Sequence, residues 1–213
     1  MRLYAMLCVI LAACSPLMPS TSEAPPLNQA ADAPSLSGET MEQNNVRVSW
    51  SITADGEDRV ILYTVENHLS ERLFVLDELL EFSTKGQGLD KAPDGIIVRA
   101  TSAAEPLRLF RGYVKPNGDP AILLVPAARG VAPGESLTGR AVVRAPLHTW
   151  HPNERPQPLS FTPLRAVLQI GVLTGELPWD WQDLADGSKV IVAPRHVVVA
   201  NQRWVTGETL LWP

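Results

Sequence analysis

The chain of 213 residues has 18 basic and 23 acidic side chains, which gives a formal net charge of −5 at neutral pH. This mild acidity argues against nucleic-acid binding, which needs a basic face, and against a polybasic membrane-binding surface. The two cysteines are Cys8 and Cys14. We therefore expect neither a disulfide nor a catalytic thiol in the remainder of the chain.

The N-terminus combines a basic residue, Arg2, with an apolar run over residues 3–13. A helix that spans a membrane needs about 20 apolar residues, so this run fits the hydrophobic region of a secretory signal peptide instead. Its end, LAAC at residues 11–14, resembles the lipobox of bacterial lipoproteins. The resemblance implies cleavage before Cys14, a diacylglyceryl group on its thiol and a fatty acid such as palmitate on the new amine.

The same resemblance implies a signal peptide at residues 1–13 and a location in the bacterial cell envelope. The membrane would be contacted through the lipid on Cys14, since two or three acyl chains anchor a protein stably and one chain does so only marginally. Ser15 follows the cysteine, where enteric lipoproteins of the inner membrane often have Asp. The expected location is therefore the outer membrane, facing the periplasm.

Residues 14–44 are rich in Pro, Ser and Ala and contain no aromatic side chain. Such a composition predicts a disordered linker behind the lipidated Cys14. A random coil of this length has ends roughly 30 Å apart, which holds a folded domain clear of a lipid surface.

Residues 45–213 are predicted to form one domain, and strands begin at its start. Apolar and polar residues alternate over residues 46–53, which is the period of a strand with one buried face. Asp55-Gly56 predicts a hairpin turn into a second strand at 59–67. The stretch 72–82 (RLFVLDELLEF) fits either a strand or a helical turn, and we predict a strand because its neighbours need a partner.

Turn residues separate the later strand candidates at intervals of 8–15 residues. These candidates are 96–100, 107–114, 121–125, 131–147, 165–174 and 189–205. A possible helical turn at 179–185 is the one exception to the strand pattern. Short strands with frequent turns predict an all-β, antiparallel sandwich, with long loops at 83–95, 148–163 and 175–188.

Two stretches refine the type of sandwich. ILYTVENHLSERLFV (61–75) resembles the second and third strands of bacterial Ig-like domains, and VAPGESLTGRAVV (131–143) resembles their Pro-Gly-Glu turn into a later strand. The resemblance implies an Ig-like β-sandwich. The Cys–Trp–Cys core of antibody domains is absent from the sequence.

His148 and His151 form an H-x-x-H motif that would present two imidazoles to zinc if it lay on a helix. The prolines around it, such as Pro146 and Pro152, predict an extended loop instead. Zinc usually takes three or four protein ligands, and Glu154 is the one acid nearby, so we predict no metal site.

Asp180, Asp183 and Asp186 precede Gly187 with a spacing of three residues. A calcium loop of the EF-hand type needs acids two residues apart. The spacing of three instead predicts a single helical turn with Trp179 and Leu184 packed inward, closed by Asp186-Gly187.

Trp150, Trp179 and Trp181 lie in predicted loops, and Trp50 lies within a predicted strand and is expected in the core. Exposed loop tryptophans are good binding anchors, so these three and His151 are the candidate binding residues. In the alternative interpretation they cover the open end of the sandwich.

The sequence contains neither a G-x-S-x-G elbow nor a Gly-rich nucleotide motif. Asp77 and Glu78 are adjacent, so they are expected to be surface charges on opposite sides of a strand. His196 is expected to be a core or edge histidine. We therefore predict no enzyme and no cofactor.

The sequence thus predicts a membrane-anchored envelope lipoprotein whose domain acts as a protein-binding or structural module for an unidentified envelope protein. The binding surface is placed on the loops 148–163 and 177–187, because rigid sandwiches carry function on loops. The alternative is a protease inhibitor that lays the Pro-rich loop 148–163 in a protease cleft, or an envelope assembly chaperone. A hydrolase is disfavoured.

Overall fold

The computed structural model describes residues 45–82, 89–91, 95–114, 125–149 and 157–213. The predicted lipid site Cys14, the linker 14–44 and the candidates Trp150 and His151 lie outside the described residues. Most of the predicted strand 121–125 also lies outside them. The described residues are all-β with a single short helix, as the sequence predicts.

The elements are numbered in chain order. They are β1 (Val46–Asp55), β2 (Asp58–Asn67), β3 (Leu73–Phe82), β4 (Leu89–Lys91), β5 (Ile97–Arg99), β6 (Leu107–Arg111), β7 (Val125–Val131), β8 (Ser136–Val143), β9 (His148–Thr149), β10 (Gln157–Pro158), β11 (Arg165–Thr174), β12 (Asp180–Asp183), β13 (Lys189–Val192), α1 (Arg195–Asn201) and β14 (Arg203–Leu211). None of the described residues form a helix that is long and apolar enough to cross a membrane.

A three-stranded antiparallel sheet, in the order β1-β2-β8, forms one layer. Strands β1 and β2 are joined by the two residues Gly56 and Glu57, and Gly56 has a φ of +61°. A two-residue hairpin loop of this kind needs positive φ, which Gly adopts without strain, so the predicted turn is confirmed. The predicted alternation also holds, since Val46 and Val48 are buried while Arg47 is exposed.

The second layer is a nine-stranded sheet whose main order is β12-β13-β7-β3-β11-β6-β5, with β14 paired to β11 and β4 paired to β3. The ambiguous stretch at 72–82 is strand β3, as predicted. Strand β6 runs parallel to β11, with Ala166 opposite Leu107 and Ile170 opposite Arg111. The prediction of a fully antiparallel fold is therefore wrong at this pair, and the sheet is mixed.

The main core lies between the two sheets. Ile61 and Val65 of the first sheet and Val75, Leu109 and Ile170 of the second are all fully buried and belong to one apolar cluster. Each such side chain stabilises the fold by about 1.5–3 kcal/mol relative to exposure. With no disulfide expected, this shared core is what holds the layers together.

The opposite face of the nine-stranded sheet is covered by α1, where the sequence predicts a strand over 189–205. Val197 and Val198 are both buried there, and Val198 packs in a cluster with Leu76 and Leu173. Adjacent strand residues point to opposite faces, whereas adjacent helix residues can share one contact surface. The β-branched run predicted a strand from local preference, and tertiary packing overrides that preference.

Asn67 is the last residue of β2, and its side chain is fully buried where the chain turns towards β3. Its Nδ2 donates to the carbonyls of Glu71 and Val131, both at 2.9 Å, and its Oδ1 accepts from the Leu69 amide at 3.0 Å. The backbone of Asn67 also bonds Gly134 and Glu135 in the turn before β8. The two segments that resemble Ig-like domains therefore contact each other at this turn as well as along the paired strands β2 and β8.

The predicted helical turn at 179–185 is wrong, because Asp180–Asp183 form strand β12 against β13. A turn follows the strand, and the Gly187 amide donates to the carbonyl of Leu184 at 3.0 Å. Leu184 is 6% exposed, so its inward orientation is confirmed. Spacing of three residues did not distinguish one helical turn from a short strand.

Candidate functional site

Of the predicted binding residues that the structure describes, Trp179 is half-buried. Its ring packs on Phe74 with centroids 4.2 Å apart and a tilt of 34°. The Trp179 ring therefore covers part of the cluster beneath α1, on the face of the nine-stranded sheet away from the main core. Trp181, on β12, is 68% exposed and is available for contact with another molecule.

The two predicted binding loops pack against different parts of the domain. Leu147, just before the first loop (148–163), and Leu159, within it, pack against the core between the sheets. Leu177 and Trp179 pack against the cluster beneath α1. Thus the described ends of these loops do not build one shared site.

Among the described residues no group of three or more His, Cys, Asp or Glu side chains is placed to hold a metal ion. The Nδ1 of His148 lies 2.6 Å from the carbonyl of Pro146. Asp186 accepts two hydrogen bonds from Ser188, which lower the pKa of its carboxyl group. His196 lies exposed on α1, so the expectation of a core or edge histidine is wrong.

A cavity of about 780 Å³ opens beside β8, a strand that pairs with β2 alone among the described residues. Its outer part is lined by two rows of residues, and each row consists of cross-strand partners on β1, β2 and β8. The first row contains hydroxyl groups, from Ser49, Thr64 and Thr138, and the second row contains Ser51, Leu62 and Arg140. Its volume lies within the range of ligand-binding pockets, which is about 300–1,000 Å³.

The inner part of the cavity contains a hydrogen-bonded polar cluster between the two sheets. The Tyr63 hydroxyl donates to Oδ2 of Asp77 at 2.9 Å, and Arg129 Nε donates to Oδ1 of Asp77 at 3.0 Å. A second bond joins Nη2 of Arg129 to Oδ2 of Asp77, so the guanidinium contacts both carboxylate oxygens. This pairing raises the pKa of Arg129. Such two-point pairs are geometrically specific.

Asp77 is fully buried, and the prediction that it is a surface charge is wrong. The register of β3 against β7 shifts between Val75 and Glu78, so an extra residue is inserted at this point. A bulge of this kind changes the direction of a side chain. The Asp77 carboxylate lies between the sheets, where Tyr63 and Arg129 satisfy it.

Glu78, by contrast, bonds Lys91 Nζ at 2.7 Å and is partly exposed. It lines the cavity beside its buried neighbour Asp77. Since Lys91 neutralises it, Glu78 adds little net negative charge to the opening.

Tyr63 reaches Asp77 because its neighbour across the sheet, position 139 of β8, is a glycine and has no side chain. A Cβ on Gly139 would lie 2.1 Å from Cζ and Oη of Tyr63, which no packing arrangement tolerates. The tyrosine side chain is 3% exposed in this position. Burial, with a further contribution from Asp77, raises the pKa of the Tyr63 phenol above its ordinary value. Tyr63 therefore stays protonated and serves as a donor.

Arg111 is the second cation of the inner part and is 6% exposed. Its guanidinium carbon lies 5.7 Å from the ring centroid of Tyr63, a cation–π contact, and one side of the group lies against Gly95. Its Nε is buried without a hydrogen-bond partner, and among the described residues it forms no ion pair. Because Asp77 neutralises Arg129, Arg111 is the one cation of the inner part that no described residue neutralises.

This arrangement is suited to binding. The described residues that line the cavity include no histidine or cysteine, and the buried carboxylate of Asp77 is held by Tyr63 and Arg129. Hydroxyl groups, guanidinium groups and the half-exposed Leu62 side chain remain to contact a ligand. The chemistry available is hydrogen bonding, charge pairing and apolar contact.

Sequence reasoning missed this site because its residues come from six separate strands. Two local signals point to it in retrospect: Asp77 interrupts an apolar run, and Gly139 interrupts a strand. A lone charge within a buried strand needs a partner, and a glycine within a strand often marks the close approach of another group. Neither signal identifies Tyr63, Arg111 or Arg129.

Comparisons of the chain with models of protein families, with curated proteins and with solved structures find no match. The function is therefore inferred from the chemistry of the site itself.

Proposed function

We propose that the chain is a lipid-anchored protein of the bacterial envelope, located at the outer membrane and facing the periplasm. Its β-sandwich domain is a protein-binding module and not an enzyme. The lipobox resemblance at residues 11–14 supports the location. The observation that carries the binding role is the open cavity of about 780 Å³ beside the outer edge of β8, which no described strand pairs with.

A free strand edge next to a cavity is a common way to bind a protein segment. The edge offers backbone donors and acceptors to an added strand, and the neighbouring pocket accepts its side chains. On β8 the carbonyl of Thr138 already accepts from Nη2 of Arg129 at 3.2 Å. The binding surface therefore combines a partly covered edge with the outer rows of the three-stranded sheet.

The Ig-like type of sandwich belongs to the same proposal. Two features support it: the two sheets that share one core, and Asn67, whose backbone bonds the turn before β8 while its side chain bonds the turn after β2 and the end of β7. Domains of this architecture commonly bind other proteins through their edges and end loops.

Site-specific photocrosslinking in intact envelopes tests the binding surface. A photoreactive amino acid replaces Leu62, which lines the cavity and is 49% exposed, in the full-length protein. The matched control replaces Val199 on α1, which is 44% exposed on the far side of the nine-stranded sheet. We expect a discrete protein adduct from position 62 and none from position 199. Adducts from neither position, or equal adducts from both, would show that this surface does not bind a protein.

A protease inhibitor is the second candidate, and one observation favours it. The described ends of the Pro-rich loop, His148–Thr149 and Gln157–Pro158, pair as the short strands β9 and β10. A loop whose ends are paired in this way can be presented to a protease cleft with less loss of entropy. A panel of serine, cysteine and metalloproteases assayed with the full-length protein tests this; unchanged rates across the panel would reject it.

A further inference from the structure

We propose that the cavity beside β8 binds an extended, acidic segment of a partner protein, and that Arg111 pairs with a side-chain carboxylate of that segment. This inference rests on the proposed function, since it specifies what the binding module recognises. It identifies Arg111 as a specificity-determining residue, which neither the sequence motifs nor the fold indicates.

Arg111 carries its positive charge in a buried position. A guanidinium removed from water is costly unless it is paired and hydrogen-bonded, and residues of this kind are almost never buried alone. Arg111 is 6% exposed, its Nε lacks a partner, and it lines the cavity. Its contact with the Tyr63 ring replaces only part of its hydration. An anionic ligand group would complete its bonding.

The charges around the cavity indicate what charge the ligand carries. Arg129 and Asp77 neutralise each other, and Lys91 neutralises Glu78. Among the described residues, Arg111 therefore provides one unbalanced charge in the inner part, and Arg140 provides a further cation at the exposed rim. A single carboxylate matches this charge and fits the planar fork of a guanidinium.

The residues around Arg111 indicate what kind of molecule carries the carboxylate. Acidic saccharides usually stack on an exposed aromatic face, and neither aromatic residue of the cavity is fully exposed, since Trp50 is partly buried and Tyr63 is buried. Trp50 donates its Nε1–H to the carbonyl of Glu208 at 2.8 Å, and its ring lies against Gly207; Tyr63 is 3% exposed. The edge of β8, which is free of other strands in the part of the chain that the structure describes, and the exposed Leu62 favour an extended peptide instead.

Peptide titration of the full-length protein in detergent micelles tests this inference. The probe is the N-acetylated, C-amidated peptide Thr-Val-Glu-Val-Thr, and its counterpart with Gln in place of Glu removes only the charge. The readout is the Nε–H resonance of Arg111 in protein labelled with ¹⁵N-arginine, assigned by its absence from Arg111→Met. We expect the Glu peptide to shift this resonance saturably and the Gln peptide to bind about 10- to 100-fold more weakly.

Two variants distinguish a ligand-binding role from a structural one. Arg111→Met replaces the cation with an apolar side chain, and Arg108→Met changes an exposed arginine of the same strand. We expect Arg111→Met to abolish the preference for Glu over Gln while keeping or raising the melting temperature, because no carboxylate among the described residues loses its partner. Arg108→Met should bind as the unaltered protein does.

Three results would overturn the inference. The first is equal binding of the Glu and Gln peptides. The second is a shift of the Arg111 resonance by tetragalacturonate with none by the Glu peptide, which would indicate an acidic saccharide site. The third is a lower melting temperature for Arg111→Met with no change in peptide preference, which would indicate a purely structural role. If the adduct at position 62 persists in Arg111→Met at unchanged yield, the protein-binding function stands and the role of Arg111 fails alone.

Discussion

At the scale of single residues, the polar cluster between the sheets determines how stability depends on pH and on charge. Tyr63, Asp77 and Arg129 form a connected set of hydrogen bonds in a region where water has little access. In such a network each member limits the protonation and the orientation of the next one. Two predictions follow from which groups are buried and which can reach solvent.

The first prediction concerns Tyr63 and alkaline pH. Burial raises its pKa, so above pH 10 the unfolded chain loses the phenol proton while the folded chain keeps it. The contribution of Tyr63 to stability is therefore complete below pH 10 and declines as pH rises, by at most about 1.4 kcal/mol per pH unit. In Tyr63→Phe we expect a loss of about 1.5–3 kcal/mol at pH 8, because the bond to Asp77 is missing, but a flatter decline between pH 10 and 11. Urea unfolding at each pH measures both effects, and parallel declines in the two proteins would contradict the argument.

The second prediction concerns the asymmetry of the Asp77–Arg129 pair. Asp77 is fully buried, whereas the side chain of Arg129 is 37% exposed and also bonds the carbonyl of Thr138. Arg129→Met leaves the buried carboxylate of Asp77 without its cationic partner and should lower the free energy of unfolding by about 3–5 kcal/mol. Asp77→Asn leaves a guanidinium that can reach water and should cost about 1–2 kcal/mol.

Chemical denaturation measures this asymmetry. Lys91→Met, which breaks the more exposed pair with Glu78, is the control and should change stability by less than about 1 kcal/mol. Equal costs for Arg129→Met and Asp77→Asn would show that the buried carboxylate has other partners.

At the scale of elements, α1 shows most clearly how packing determines local structure. Its sequence, RHVVVAN, contains three consecutive β-branched residues, which favour a strand. Asn201 Nδ2 donates to the carbonyl of Val197 at 2.8 Å, and the amide of Gln202 donates to that of Val198 at the same distance. The helix is thus held by its end and by its buried face.

The third prediction compares two neighbouring valines of this helix. Val198 is fully buried on the inner face of α1, and Val199 is 44% exposed. Val198→Ala should destabilise the protein by about 2–3 kcal/mol, through lost burial and the space left behind. Val199→Ala should change stability by less than about 0.5 kcal/mol, since the better helix propensity of Ala offsets the small loss of contact. Thermal unfolding of both variants measures this difference, and similar losses would mean that α1 does not pack as described.

The contrast between β1 and α1 shows what sequence patterns can predict in this protein. Strands β1 and β2 follow from alternation and from the turn at Asp55-Gly56, which are local signals. A run of valines carries no period, so only the surface it packs against selects the helix. The candidate site is less predictable still, because Tyr63, Arg111 and Arg129 meet only through the order of the strands. A bulge in β3 at Asp77 completes it, and no local pattern indicated that bulge.

At the scale of the whole molecule, the proposed function depends on two parts, a lipid anchor on Cys14 and a folded binding domain. The lipid on Cys14 would restrict the domain to the membrane surface, and the linker 14–44 would set how far from that surface it binds. Such tethering raises the effective concentration of the domain for partners in the same membrane. The cavity needs only moderate affinity in this arrangement.

The fourth prediction tests the anchor with two substitutions of the same kind. Cys14→Ser removes the thiol that the lipobox resemblance assigns to the diacylglyceryl group, so radiolabelled palmitate should not be incorporated. Cys8→Ser changes a cysteine six residues earlier, within the apolar run, and should be labelled as the unaltered protein is. Each buried methylene contributes about 0.8 kcal/mol to membrane binding, so loss of all acyl chains should leave Cys14→Ser extractable from membranes by high salt if its signal peptide is removed. A residue 14 that reacts with maleimide in the unaltered protein would exclude lipidation. The binding domain would then need another route to its partner, although the cavity beside β8 and its test with peptides would be unaffected.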